Sequence, residues 1–308
     1  MTAFDEIVNA LQTRAEIKNR LSLIPYEGTP EIKNQEYLYV RKRVGNSVKS
    51  SYIGTYSDEL YQLLLKNTHE ARGLRKELRK IEKTLAELGY QEKELSPRVT
   101  SNLDFAKANL KSIIFDQAVL EGINVSYSQV EDIMEDRKIR NIKPSDISKI
   151  WSLKQAWEFI LNPKIIQVKR DYGLLCCIAR LVNEGFCFEG GRIRGVPVTI
   201  GGSSYIPPIP IESDVKENID TILQSNEEDI DKSIDLCLYT MKTQVFIDGN
   251  KRAAVIFANH YLIAHGQGLL VIPESQVPEF KKLLVSYYEG KGEDKIRVFF
   301  KEKCWQKF

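Results

Sequence analysis

From about Leu103 onward the sequence reads almost continuously as helix, which limits the larger part of the chain to a mainly α architecture. Ser126-Tyr127-Ser128-Gln129 makes a capping box ahead of Val130 and Met134. Pro144-Ser145-Asp146 opens a helix that runs to Leu161 and ends at Asn162-Pro163. A third helix is expected over about Ile165 to Asn183, closed by Gly185, and others near Ser213, Glu227, Asn250, Pro278 and Glu293. One window breaks the pattern. Val196 to Pro208 predicts a short hairpin turning at Gly201-Gly202, whose prolines suit a free edge or flap.

The first ninety or so residues read as a separate unit. Phe4, Ile7, Val8, Leu11, Ile17 and Leu21 predict an opening amphipathic helix, broken by Pro25 and Gly28-Thr29-Pro30. Tyr37 to Val44 and Ser47 to Ile53 flank Gly45-Asn46 as a hairpin would. Ser57 is the expected N-cap of a long helix carrying Leu74, Leu78, Ile81, Leu85 and Leu88, a coiled-coil-like seam stopped by Gly89. Residues 57–89 could therefore pair with the same chain or with a second copy. Tyr90 to Thr100, with Pro97, reads as a linker. The expected division is a helix–hairpin–long helix unit at 1–94 and a second domain at 95–308.

Composition narrows the function classes. With 44 Lys+Arg against 42 Asp+Glu, nothing in the global charge calls for nucleic acid or membrane. Five cysteines without C-x-x-C spacing suit a reducing, cytoplasmic setting rather than a disulfide framework. The acidic N-terminus is unlike a signal peptide, and no apolar run is long enough to cross a bilayer.

The chemistry-bearing stretch is Gln244-Val245-Phe246-Ile247-Asp248-Gly249-Asn250-Lys251-Arg252, between a helix ending near Thr243 and an apolar helix. Gly249 permits a tight turn, and Asn250 then starts a helix with free N–H groups beside Lys251 and Arg252. A positive dipole end with two cations suits a phosphate. Asp248 is a hard oxygen ligand, suited to Mg2+ riding on that phosphate.

This stretch resembles the Fic motif, H-P-F-x-D/E-G-N-G/K-R-x-x-R, and its Doc-like variants with lysine after the asparagine. Phe246, Asp248, Gly249, Asn250, Lys251 and Arg252 agree with it. Gln117-Ala118-Val119-Leu120-Glu121-Gly122 keeps the Glu-Gly end of the family's inhibitory motif, S/T-x-x-x-E-G/N, and places an inhibitory-helix-like segment around 112–122. Tyr205 and Ile206 fall where family members carry the flap that aligns a target segment by strand addition. The resemblance spans roughly residues 95–290. It implies a Fic-type helical core with a small β-hairpin flap, binding ATP or another nucleotide with Mg2+ and acting on a protein hydroxyl.

Three positions depart from the family. Gln244 stands where the motif histidine takes the target's proton, and an amide cannot accept that proton near neutral pH. Val255 replaces the second arginine, which in the family holds the terminal phosphate and pairs with the inhibitory glutamate. Gln117 replaces the inhibitory serine or threonine. Glu121 therefore loses its family partner unless Lys251 or Arg252 substitutes. Two readings follow: a degenerate domain that binds a phosphate ligand with little or no transfer, or an active adenylyl- or phosphoryl-transferase with a non-standard base. In the N-terminal unit, Arg41, Lys42, Arg43 and Lys49 interleave with Tyr37, Tyr39 and Tyr52. That pattern fits nucleic acid, or a solvated edge protected by charge.

Overall fold

The computed structural model describes residues 3–34, 36–44, 47–137, 141–185 and 189–307. The described residues include twelve α-helices and only small sheets, in two compact units, Met1–Gln91 and Glu92–Phe308.

In the first unit α1 (Ala3–Leu23) buries Phe4, Ile7, Leu11 and Ile17, one stripe of an amphipathic helix. A three-stranded antiparallel sheet follows, β1 (Thr29–Lys33), β2 (Tyr37–Val44) and β3 (Ser47–Thr55), in the order β1-β2-β3. The expected Gly45-Asn46 turn lies outside the described residues. Strand alternation sends Leu38 and Val40 inward, where they meet Leu64 of α2 (Asp58–Glu87) and are flanked by Ile53, Leu60 and Tyr61. Ser57 caps α2 by accepting from the Leu60 N–H at 3.2 Å. Helix α1 packs along α2. Of the seam, Leu74 and Leu85 are buried, and Leu78, Ile81 and Leu88 are half-buried.

The second unit is built around α10 (Asn250–Ala264), buried on every side from Ala253 to Ile263. Helices α3 (Pro97–Ala108), α6 (Pro144–Ile160), α7 (Tyr172–Val182) and α9 (Asp229–Thr243) pack against it. Helices α4 (Leu110–Leu120), α5 (Tyr127–Met134), α8 (Glu212–Gln224), α11 (Val277–Tyr288) and α12 (Glu293–Phe299) complete the unit. Asn259 on α10 bonds both the N–H and the carbonyl of Leu270, at 2.8 Å each, as a neighbouring strand would. Trp157 is fully buried in this core.

Four local expectations are corrected. The presumed linker at 90–100 contains the start of α3, with Ser96 as N-cap and Pro97 in the first turn, where its missing N–H is no loss. The helix expected over 165–183 is a 3₁₀ turn at Ile165–Gln167 followed by α7, because Asp171 caps a new start by accepting from Leu174 N–H. Segment 196–208 turns at Gly201-Gly202 but forms no strand ladder. Three prolines remove donors, and its backbone groups go to side chains instead. Lys301 to Lys307 read from the sequence as a charged tail, but the structure ties this segment to the unit. Cys304 is buried, and β5 (Trp305–Gln306) pairs with β4 (Leu269–Leu270).

His260 lies wholly inside, its Nε2 2.9 Å from the Ile165 carbonyl and its Nδ1 without a partner. Burial pushes its pKa down to about 3, aided by the positive Arg170. The unfolded chain then binds a proton on this residue below about pH 6.5 and the folded one does not, so stability should fall as pH drops from 6.5 toward 3. Urea midpoints measured from pH 7 to 4 should decline less steeply for His260→Gln than for wild type. Parallel slopes would remove the residue from the acid response.

Candidate phosphate site at the start of α10

Helix α9 ends at Gln244, a non-glycine residue in the left-handed region at φ 49°. Such a conformation costs on the order of 1 kcal/mol and persists where surrounding contacts impose it. Here the contacts are explicit. Gln244 donates from Nε2 to the Met241 carbonyl at 2.6 Å and accepts at Oε1 from Asn250 Nδ2 at 3.1 Å. Its amide is thus held at both ends.

Val245 and Phe246 turn inward and are buried, Ile247 and Asp248 turn out, and Gly249 closes the loop at φ 77°. Asn250 brackets the loop from within, accepting from Phe246 N–H at 2.9 Å and donating to Phe246 O at 2.7 Å. A Cβ on Gly249 would stand 2.7 Å from Nδ2 of Asn183, so this position needs glycine for space as well as for its φ. The first intrahelical bond of α10 is Ala253 N–H to Gly249 O, which leaves the preceding N–H groups at the helix start.

The cations there are already engaged. Arg252 is fully buried; it donates to Val182 O, to Asn183 Oδ1 at 3.2 Å and to Asp248 Oδ2 at 3.1 Å. Glu121 reaches in from the end of α4, with Oε2 3.6 Å from Arg252 Nε and Oε1 3.5 Å from Lys251 Nζ. Both substitutes considered from the sequence therefore face the carboxylate. Gly122 at φ 80° completes a Schellman stop, with Ile123 N–H bonded to Ala118 O and Gly122 N–H to Val119 O. A carboxylate at a helix C-terminus opposes the macrodipole, and the two cations offset that cost.

The lost residues have new tasks. Gln117 is buried and bridges three helices, accepting from Trp157 Nε1 at 2.7 Å and donating to Arg252 O at 3.0 Å. Val255 faces a small apolar recess with Ile113, Leu120, Trp157 and Ile272, so the place of the family's second arginine is a hydrophobic wall.

Beside Gln244 and Lys251 opens a cleft of about 530 Å³ between the Thr199–Gly202 turn and α11. Its far wall is apolar, with Ile200, Phe280, Leu284, Val285 and Tyr288. Burial raises the Tyr288 phenol pKa, so it stays neutral there. Of the two expected flap residues, Ile206 is 65% exposed, whereas Tyr205 is half-buried with Lys242 Nζ 5.7 Å from its ring. The same ammonium lies 4.6 Å from the Tyr287 ring, whose phenol is pushed up to about 12 by burial. Glu289 fastens the turn, accepting from Ser204 N–H and Ser204 Oγ at 3.2 Å each.

Asp248 is 60% exposed at its side chain, with Oδ1 taking the Gly249 N–H and Oδ2 the Arg252 guanidinium. Among the described residues no group of three His, Cys, Asp or Glu side chains could hold a metal. This donor set suits Mg2+ that arrives with a phosphate and takes a single carboxylate, rather than a resident ion.

Sequence reasoning missed two organising residues. Asn183 read as a helix end, yet its amide also donates to Asp248 O at 2.9 Å and so pins the loop to α7. Arg194 lies in Gly191-Arg192-Ile193-Arg194-Gly195, where no local pattern marks it for this role. Its buried guanidinium collects Gln244 O at 2.5 Å, Val196 O at 2.8 Å, Pro208 O at 2.6 Å, and Pro207 O and Thr243 O at 3.3 Å.

Residues 171–262 match the family model for Fic/DOC. Among solved structures, the chain is similar to Fic-1 from C. elegans at 19% identity and TM-score 0.55, over 80% of this chain and 74% of that one. A Fic family protein from Desulfovibrio desulfuricans G20 aligns at 16% identity and TM-score 0.51, over 69% and 74%. A Fic domain containing signaling protein from Bacteroides thetaiotaomicron VPI-5482 aligns at 16% and 0.50, over 63% and 76%. No curated protein matches the chain. Residues 171–262 thus match a Fic/DOC domain, and the fold is of the Fic type. Among the described residues no helix is long and apolar enough to cross a membrane.

Proposed function

We propose that the Fic-type domain binds a nucleotide or other phosphate ligand at the Gly249-Asn250 helix start, with transfer to protein hydroxyls weak or lost. The observation that carries this reading is the Gln244 amide, tied to Met241 O and Asn250 where a proton acceptor would have to stand. An amide there can orient a ligand but cannot take its proton. Lys251 and the α10 N–H groups supply the anion site, the apolar end of the 530 Å³ cleft suits a planar base, and Ile206 offers an edge to a protein target. When bound, Mg2+ would neutralise phosphate charge beside Asp248.

Glu121 sets the affinity in this reading, because a phosphate must compete with its carboxylate for Lys251 and Arg252. Calorimetric titration with Mg-ATP should show weak binding to wild type and at least about tenfold tighter binding to Glu121→Gly, a modest share of what a partly buried charge pair can carry. Lys251→Ala should remove that gain. No heat from either protein at millimolar ATP would end the nucleotide reading. Label transfer by wild type that Arg252→Ala abolishes would establish the active transferase instead.

A further inference from the structure

The outer face of the β1-β2-β3 sheet is a second candidate surface, independent of the Fic-type site. Leu38 and Val40 point inward to α2, so the alternating residues Tyr37, Tyr39, Arg41 and Arg43 of β2 share the opposite face. Tyr52 of β3 pairs with Tyr39 in register, and its ring lies 5.4 Å from that of Tyr39 and 6.1 Å from that of Tyr37. Lys33 of β1 places its ammonium 4.6 Å from the centre of the Tyr39 ring. Tyr52 is 55% exposed and Tyr37 37% exposed, a concentration of aromatic surface that a solvated sheet does not need.

Charge on this sheet is one-sided. On this face lie three basic side chains, Lys33, Arg41 and Arg43, and one carboxylate, Glu31, which lies 4.0 Å from Arg41. Edge protection does not account for Arg41, because β2 is paired there with both β1 and β3 and has no free edge to guard. Rings in the middle with cations on either side match what an unpaired nucleic-acid strand presents, bases with exposed faces and a phosphate backbone. We infer that this face binds single-stranded nucleic acid, with Tyr37 and Tyr52 stacking on bases and Lys33, Arg41 and Arg43 meeting phosphates.

The test uses the full chain and a fluorescein-labelled 20-mer of oligothymidylate, read by anisotropy at several salt concentrations. Binding should weaken with salt at a log–log slope of about −2, the value for three displaced counterions on a single strand. Tyr37→Ala with Tyr52→Ala should lose at least about tenfold in affinity, since both stacking platforms are removed. The corresponding double Phe variant should stay close to wild type, which separates stacking from a folding defect, and urea transitions of each variant check the fold. Three results would overturn the inference: no anisotropy change at low salt up to about 100 μM protein, equal affinity of the double Ala variant, or tighter binding of a duplex than of the single strand.

Discussion

Arg194→Ala is expected to be the most damaging single substitution in the second unit, at about 3–5 kcal/mol of stability, the range for stripping the charged partner from a buried network. Arg194 is 1% exposed and its five acceptors are all carbonyl oxygens. They come from the last turn of α9, from the entry to the phosphate loop and from both ends of the flap. Burial lowers the pKa of this guanidinium, and the negative end of the α9 dipole helps to hold its charge in place. Without it, buried carbonyls lose their donors, each a cost of about 1–3 kcal/mol before relaxation. Arg194→Lys keeps the charge but loses the fork, so it should fall between alanine and wild type. Urea denaturation gives the stability, and hydrogen exchange at 203–209 and 244–249 shows whether both segments loosen together. A loss below about 1 kcal/mol would mean that the carbonyls find water or other donors. The flap and the phosphate loop would then be organised independently.

The second large effect is a gain. Introducing Gln244→His, in the Glu121→Gly background that opens the anion site, should raise transfer of label from α-labelled ATP by about 10²- to 10⁴-fold, the usual contribution of a positioned general base. An imidazole with an ordinary pKa near 6.5 would be mostly neutral at pH 7.5, so the gained activity should rise with pH through that value. The two bonds of the Gln244 amide are lost, but the Asn250 bracket is made with the main chain of Phe246, so the loop beyond residue 244 keeps its shape. Label from only the γ position would indicate phosphoryl transfer. If nucleotide binds but the histidine variant transfers nothing, Val255 becomes the limiting loss, because its apolar recess cannot hold a terminal phosphate. Adding Val255→Arg then distinguishes one missing group from two.

How far the site was legible in the sequence depended on how far apart its members are in the chain. Gly249, Asn250, Lys251 and Arg252 are contiguous, and their turn and helix start follow from local rules. The same holds for the Ser57 cap, the Ser126 capping box and the Glu121-Gly122 helix stop, each decided by residues within one turn. The errors fell where local signals competed. Pro97 read as a breaker because proline ends helices, yet at the first turn it starts one. The 196–208 segment looked like a hairpin because Val196 to Ile200 and Ser203 to Ile206 flank a Gly-Gly turn, but hydrogen bonds from the segment go to Arg194 and Glu289.

By itself, then, the sequence determined the helical periods, the caps, the phosphate-type turn and the absence of a histidine at residue 244. Only the tertiary structure decided that Glu121 meets Lys251 and Arg252, that Gln117 joins Trp157 to α10, and that Arg194 ties flap to loop. The physical reason is range. A helix or a turn is closed by hydrogen bonds a few residues apart, whereas these contacts join residues 40 to 135 positions apart or depend on a buried side chain's several simultaneous partners. No periodicity encodes them.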